Sequence, residues 1–475
     1  MPELLLGLDV GTTSVVAALF APDGRSLGLG RRRLTSASPS PGRVEQDAAA
    51  VWRAARAAMR AALAQAGRQA ADLAAIGIAS QRASAVIWDR ATGAPRSPLV
   101  VWSDLRGLQR AGELREAGFM IAPQQSAAKL EGMMAAVEGG APLAWGNIDS
   151  YILFRLSGGE AHVCDRSQAW PSGYLDLASQ GWNPALIAHQ GLDPDAFPTL
   201  VDTWGPIARA DPRILGAATP ICADIADQQA ALVAHGESEG LIKATFGTSA
   251  TLDLSTGPRL VFRDMSIPPF IIASAAGETR YCLEGMVYTA GAALDWVRGL
   301  LRLGDVEAFD ARAASVADSG GAWFLPALQG LGAPYSQGLV RGALGGLSLA
   351  TGPAQVARAA LEGVAFRARE VFDHLCRAAG QPPPPSLAVD GGLTASRLFL
   401  QIQADALGRP VRRYAHAEAT ACGAAICAGR GAGLAISTEA FAAYDLTVEP
   451  RLSADETEAR FSAWKAAAVG PTAAA

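Results

Sequence analysis

The feature that most restricts how this chain can fold is a pattern that occurs twice: an apolar segment, a turn of small hydroxylated residues, and a second apolar segment. Near the start, Leu4 to Val10 runs into Gly11-Thr12-Thr13-Ser14 and then Val15 to Phe20. In the second half, Lys243 to Phe246 leads into Gly247-Thr248-Ser249 and then Ala250 to Leu254. Each reads as strand, tight turn, strand. Recurrence of one motif in a chain of 475 residues points to two domains of similar build. We place the boundary near Ile242, giving domains 1–242 and 243–475. Asp47 reads as the cap of an alanine-rich helix reaching Ala66, and strands are expected at Leu73 to Ala79 and Val86 to Asp89. Pro353 opens a long amphipathic helix ended by Gly380, and Glu418 to Gly431 reads as a small-residue helix packed closely on its neighbour. Alternating strands and helices make the chain α/β, with two domains closing over a central cleft. The last ten residues are expected to fray.

Half of the residues are hydrophobic, enough to build large cores, and the net charge of −5 gives no electrostatic reason to expect nucleic acid as a partner. The densest basic run, Arg31-Arg32-Arg33, reads as a solvated strand edge. Leu4-Leu5-Leu6 lacks a basic leader and is interrupted by Asp9, so it does not read as a signal peptide, and no membrane-spanning stretch is expected. The six cysteines and five histidines are scattered without metal-ligand spacing. Reduced, buried thiols and a cytoplasmic location fit them.

A phosphate tail needs close backbone N–H donors in a tight turn, with hydroxyls that add donors without bulk. Gly11, Thr12 and Thr13 meet that need from one half of the chain, and Gly247 and Thr248 from the other. Asp9 would set a carboxylate beside such phosphates, where Mg²⁺ could neutralise charge; a turn-initiating aspartate is its plain alternative. Asp227 opens the helix Asp227-Gln228-Gln229-Ala230-Ala231-Leu232. Helix capping alone would explain it, yet a carboxylate fixed at a helix terminus and flanked by amides also suits deprotonation of a sugar alcohol.

These residues resemble the FGGY carbohydrate kinases over nearly the whole chain. The resemblance is carried by Leu8-Asp9-Val10-Gly11-Thr12-Thr13, Val101-Trp102-Ser103-Asp104-Leu105-Arg106, the Asp227 block, Gly247-Thr248-Ser249, Asp390-Gly391-Gly392 and Thr420-Ala421-Cys422-Gly423. It implies two RNase H-like domains of the actin and hexokinase superfamily, with sugar bound on the N-terminal domain and nucleotide mainly on the C-terminal one. It implies ATP-dependent phosphorylation of a polyol, ketose or sugar acid, with ATP and Mg²⁺ as cofactors and assembly as a homodimer or homotetramer. By the same resemblance Asp227 looks like the catalytic base and Asp9 the Mg²⁺-associated carboxylate. Gly11, Thr12, Thr13, Gly247 and Thr248 would lie at the phosphates, and Gly391 and Gly392 at the nucleotide. Gln81, Arg82, Trp102, Arg166 and Gln228 would face the substrate.

Several positions depart from the family pattern. Ala83 stands where glycerol kinases place a glutamate, which removes a hydroxyl acceptor, and Arg166 stands in place of a tyrosine, which suggests a longer or acidic substrate. Val16 replaces a basic residue and Ala226 a glycine, which motivates an alternative: a catalytically weakened sugar or nucleotide sensor with the kinase fold.

Overall fold

The computed structural model describes residues 3–416 and 418–470. Its residues divide into two compact units that interleave along the chain. The first takes in Met1–Gly236, Phe270–Arg280 and Glu418–Ala442; the second takes in Glu237–Pro269, Tyr281–Ala417 and Ala443–Ala475.

In the first unit the apolar segments found in sequence become strands Leu4–Val10 and Ser14–Phe20, joined by the Gly-Thr-Thr turn and followed by the edge strand Ser26–Arg33. These three pair antiparallel. On the other side of Leu4–Val10, strands Leu73–Ser80 and Pro220–Ala226 run parallel to it, and Trp204–Arg209 closes the far edge antiparallel. In the second sheet five strands keep this order. Ile242–Phe246 pairs antiparallel with Ala250–Gly257, which pairs antiparallel with Glu278–Val287. Leu387–Asp390 and then Val411–Tyr414 add parallel, and Tyr444–Val448 closes antiparallel. Both sheets are of mixed direction and share the order of five strands; the sixth differs, since Trp204–Arg209 precedes Pro220–Ala226 in the chain whereas Tyr444–Val448 follows Val411–Tyr414. This is the α/β architecture that the alternation of strands and helices predicted.

Period-two alternation decides which residues face each layer. Leu6, Leu8 and Val10 pack with Val51, Trp52, Ala55 and Met59 of helix Ala48–Gln65, which Asp47 caps by accepting from the N–H of Ala49. The intervening residues face the opposite way, where helix Ala419–Gly431 lies so close that a Cβ on Gly7 would fall 1.8 Å from the carbonyl oxygen of Ala421. Only glycine permits that approach. Asp9 follows Gly7 by two residues and shares its face.

All six cysteines are buried, and none of them forms a disulfide. Of the last ten residues, expected to fray, 466–470 are held in place. Helix Ala454–Trp464 continues through a π turn at Lys465–Val469, because Ala468 and Val469 find apolar burial in the second core; residues 471–475 lie outside those described.

Candidate active site

Three adjacent parallel strands of the first unit end at one level, since Val10 pairs with Ser80 and Ser80 pairs with Ala226. The residues immediately beyond those ends are Gly11-Thr12-Thr13, Gln81-Arg82 and Asp227-Gln228. Carboxyl ends of parallel strands are where open α/β sheets place ligand-binding groups.

Hydrogen bonds tie these segments together. The Thr12 hydroxyl donates to Gln81 Oε1 at 2.8 Å and accepts from the Trp102 indole N–H at 3.1 Å. Gln81 Nε2 donates to Gln46 Oε1 at 3.3 Å, and Gln46 Nε2 donates to the Thr12 carbonyl at 2.6 Å. Within the turn, the Gly11 N–H closes on the Ser14 carbonyl at 3.1 Å. The N–H groups of Thr12 and Thr13 have no backbone acceptor among the described residues and remain as donors for an anion.

Asp227 begins helix Asp227–His235 and accepts from the Gln228 N–H at 2.8 Å. Arg82 Nε stands 3.6 Å from Asp227 Oδ1, and the Arg82 guanidinium lies 4.6 Å from the ring centroid of Phe270. Burial pushes the Asp9 carboxyl well above the usual carboxylate range; Asp227 and Glu418 push it further and Arg31 opposes. The Glu418 carboxyl is itself raised by burial, with Arg31 opposing.

Behind these ends lies a support. Gln168 Nε2 donates to the Ser80 carbonyl at 3.0 Å and the Ile225 carbonyl at 3.3 Å, bracing two strand ends at once. The Ala226 N–H donates to Ser167 Oγ at 2.8 Å, and Ser167 Oγ donates in turn to Asp165 Oδ1 at 2.9 Å. Asp149, Asp165 and Asp224 are wholly buried here, and burial raises all three carboxyls. Ala226 has φ −69°, open to any residue, so no glycine is needed before Asp227.

Arg166 is placed apart from this constellation. Its guanidinium donates to the carbonyls of Gln180 (3.1 Å) and Val201 (3.2 Å) and to Asp202 (3.3 Å), and it lines a 960 Å³ cavity with Arg90 and His162. The residues that sequence reasoning missed are Gln46, Phe270 and Glu418. Each reaches the site from a distant part of the chain, and none carried a local signal.

Lys129, at 2 % exposure, donates to the carbonyls of Val101 at 3.0 Å and Trp102 at 3.4 Å, fixing the backbone of the tryptophan. Burial brings its pKa down to about 7, against the opposing pull of Asp104 and with reinforcement from Arg106. Between that value and the ordinary 10.5 the unfolded chain holds a proton that the folded chain has released. Stability from this group therefore rises with pH across the window, at about 1.4 kcal/mol per pH unit, and the burial penalty is fully present below it. Lys129→Met is expected to flatten the dependence of Tm on pH between about pH 7 and pH 9.5. Melting curves of both proteins across that range check this, and an unchanged slope contradicts it.

In the second unit the Gly247 N–H closes its turn on the Ser249 carbonyl at 2.9 Å, and the Thr248 N–H has no backbone acceptor among the described residues, as in the first turn. Thr245 pairs with Asp390, so Gly247-Thr248 and Gly391-Gly392 follow neighbouring parallel strand ends. Gly391 has φ +92°, and a Cβ there would sit 2.5 Å from the Phe246 carbonyl oxygen. Beside them opens a 390 Å³ cavity lined by Gly247, Thr248, Leu294, Arg298, Gly392 and Ser396, among others. A Cβ on Gly392 would meet nothing within 4 Å.

Comparison with known proteins accords with this architecture. The profile of the FGGY family of carbohydrate kinases, N-terminal domain, matches residues 4–234, and that of the C-terminal domain matches residues 242–432. The chain belongs to the FGGY family of carbohydrate kinases, and is therefore an ATP-dependent phosphotransferase with an alcohol acceptor. Among curated relatives, a glycerol kinase of Gloeobacter violaceus is 38% identical over 442 residues, covering 90% of this chain and 88% of the relative. A glycerol kinase of Geobacter sp. strain M21 is 36% identical, covering 98% and 97%. Among solved structures, the xylulose kinase of Rhodospirillum rubrum superposes with a TM-score of 0.84 at 26% identity, covering 100% of both chains. The glycerol kinase of Plasmodium falciparum with ADP gives 0.88 at 22% identity, covering 98% and 97%. Among the described residues no helix is long and apolar enough to cross a membrane.

Proposed function

We propose that the enzyme transfers the γ-phosphoryl group of ATP to a hydroxyl of a small polyol, with Asp227 as general base. The observation that carries this reading is the alignment of three strand ends. It sets the Asp227 carboxylate on the same sheet edge as the outward N–H donors of Thr12 and Thr13 and the Arg82 guanidinium. Asp227 takes the proton of the attacking hydroxyl. Gln81, Arg82, Trp102 and Gln228 orient the polyol, the indole offering an apolar wall for its carbon chain. Because Thr12 bonds both Gln81 and Trp102, a polyol seated against those side chains also stiffens the phosphate turn.

Gly247, Thr248, Gly391 and Gly392 hold the nucleotide, and the glycines permit its close approach. Gly392→Leu would fill the cavity without straining the backbone. The expected result is a KM for ATP raised about tenfold or more, with polyol binding and Tm unchanged. Saturation kinetics in ATP check it, and an unaltered KM removes Gly392 from the nucleotide site.

Mg²⁺ fits the surroundings of Asp9. Among the described residues no group of three or more His, Cys, Asp and Glu side chains forms a metal cage, and Mg²⁺ with a nucleotide needs only one or two carboxylates. When bound it neutralises charge on the transferring phosphoryl group.

Glycerol, or a polyol of similar size, is the acceptor the relatives favour, several of them glycerol kinases at 35% identity or more. Ala83, buried and at φ +51°, offers no carboxylate beside Arg82 to accept from a substrate hydroxyl. The test is ADP release over a panel of polyols, tetroses, ketopentoses and aldonates. Turnover of none of them at high enzyme concentration overturns the reading.

A further inference from the structure

We propose that Arg31 is a phosphate-contacting residue of this enzyme, reaching across the sheet to the Gly11–Ser14 turn to stabilise charge on the transferring phosphoryl group. Strand register places it there. Asp9 pairs with Val16, and Val16 pairs with Arg31, so the three form one row across adjacent strands. Directly paired residues share a face. That face is the one turned toward helix Ala419–Gly431, because Gly30, one residue back, faces the other way: a Cβ on it would lie 2.0 Å from the Ala58 carbonyl oxygen of helix Ala48–Gln65.

From this row the Arg31 guanidinium donates to Ser14 Oγ at 3.3 Å, the last residue of the phosphate turn, and to the carboxylate of Glu418. Val16 between Arg31 and Asp9 is short and buried, so nothing on the row intercepts the longer side chain. Arg32 and Arg33 are exposed like Arg31, but the Arg32 guanidinium turns instead to the Arg31 carbonyl at 2.7 Å.

The chemistry follows from charge. A triphosphate seated on the N–H groups of Thr12 and Thr13 brings negative charge to a place already holding Asp9, Asp227 and Glu418. A guanidinium fork on a half-exposed side chain, held by one hydroxyl and one carboxylate, can turn to donate to phosphate oxygens. Arg31 forms no covalent bond and moves no proton. The phosphorus–oxygen bond to the leaving diphosphate breaks as the bond to the polyol oxygen forms, and Arg31 stabilises the charge on the phosphoryl oxygens between them.

This inference rests on the kinase reading, and the experiment separates the two. Initial rates are measured for wild type, Arg31→Gln, Arg31→Lys, Arg31→Ala and, as a control that removes the same charge next door, Arg32→Gln. The expected result is a loss of about 100-fold in kcat/KM for ATP in Arg31→Gln and about 10-fold in Arg31→Lys, with the KM for polyol little changed. Arg32→Gln should match wild type, and added guanidinium ion should restore part of the activity of Arg31→Ala, which a purely structural role would not allow. Full activity of Arg31→Gln in an active kinase overturns the role of Arg31 and leaves the kinase reading standing. Equal loss in Arg32→Gln also overturns it, as surface charge alone. If Arg31→Gln does not fold, Arg31→Lys carries the test, and wild-type rates there overturn the proposal. A wild type that phosphorylates nothing overturns the kinase reading first, and this inference with it.

Discussion

Asp227→Asn is expected to lower turnover by about 10²- to 10⁴-fold while the protein still binds polyol and nucleotide. The amide keeps the size of the carboxylate and can still accept from the Gln228 N–H, so the start of helix Asp227–His235 should persist. Two things are lost: the proton acceptor and the negative partner of Arg82, 3.6 Å away. The first acts on kcat and the second on the orientation of the polyol, so kcat should fall far more than KM rises. Steady-state kinetics with calorimetric titration of the variant separate the two. Turnover within tenfold of wild type would move the base to another residue.

Gly423→Ala should destabilise the protein by about 3 kcal/mol, against the sign that helix propensity alone gives. Glycine inside a helix ordinarily costs roughly 1 kcal/mol relative to alanine. Here an added Cβ would fall 1.8 Å from the carbonyl oxygen of Ala230, on the helix that Asp227 opens, and neither partner is a flexible side-chain end. The helices must separate, and Gly7 and Gly77 hold Ala419–Gly431 against the sheet just as tightly, with added Cβ atoms 1.8 and 2.0 Å from the carbonyls of Ala421 and Ala424. Gly112→Ala is the comparison. It lies inside helix Leu108–Glu116 with nothing within 4 Å of an added Cβ, so it should gain up to about 1 kcal/mol. Urea titrations of the three proteins test the pair. A stabilised Gly423→Ala would mean that the contact is loose. Activity should fall with stability in Gly423→Ala, since the displaced helix carries the segment after Glu418 and presses on the one that Asp227 begins.

What could be read from the sequence, and what could not, divides along the distance between interacting residues. The duplicated strand-turn-strand, the Asp47 cap and the helix of small residues ending at Gly431 are local signals, and each became the element expected. Asp9, Thr12, Gln81, Arg82 and Asp227 could be named because strand ends and the turns after them are written in contiguous residues. Nothing contiguous told that Phe270 would stack on Arg82 or that Gln46 would bond Thr12, because those meetings depend on which strands become neighbours. The same holds for the basic run. The basic run was read as a solvated edge, and edge it is, but the row through Val16 directs one of its three exposed side chains to Ser14 and Glu418. At Arg166 the departure from the family's tyrosine was legible and the direction of the guanidinium, toward Gln180 and Asp202, was not.

The return of residues 418–442 to the first unit has a bearing on how this molecule can be made. A ribosome that has released the first 236 residues has produced a sheet whose glycine-lined face still lacks its cover. That cover is supplied only after nearly all of the second unit has been synthesised. The first half cannot be excised at the middle of the chain and expressed alone as a finished body, and the early-made sheet must wait, with apolar surface bare, for a segment encoded near the end of the message.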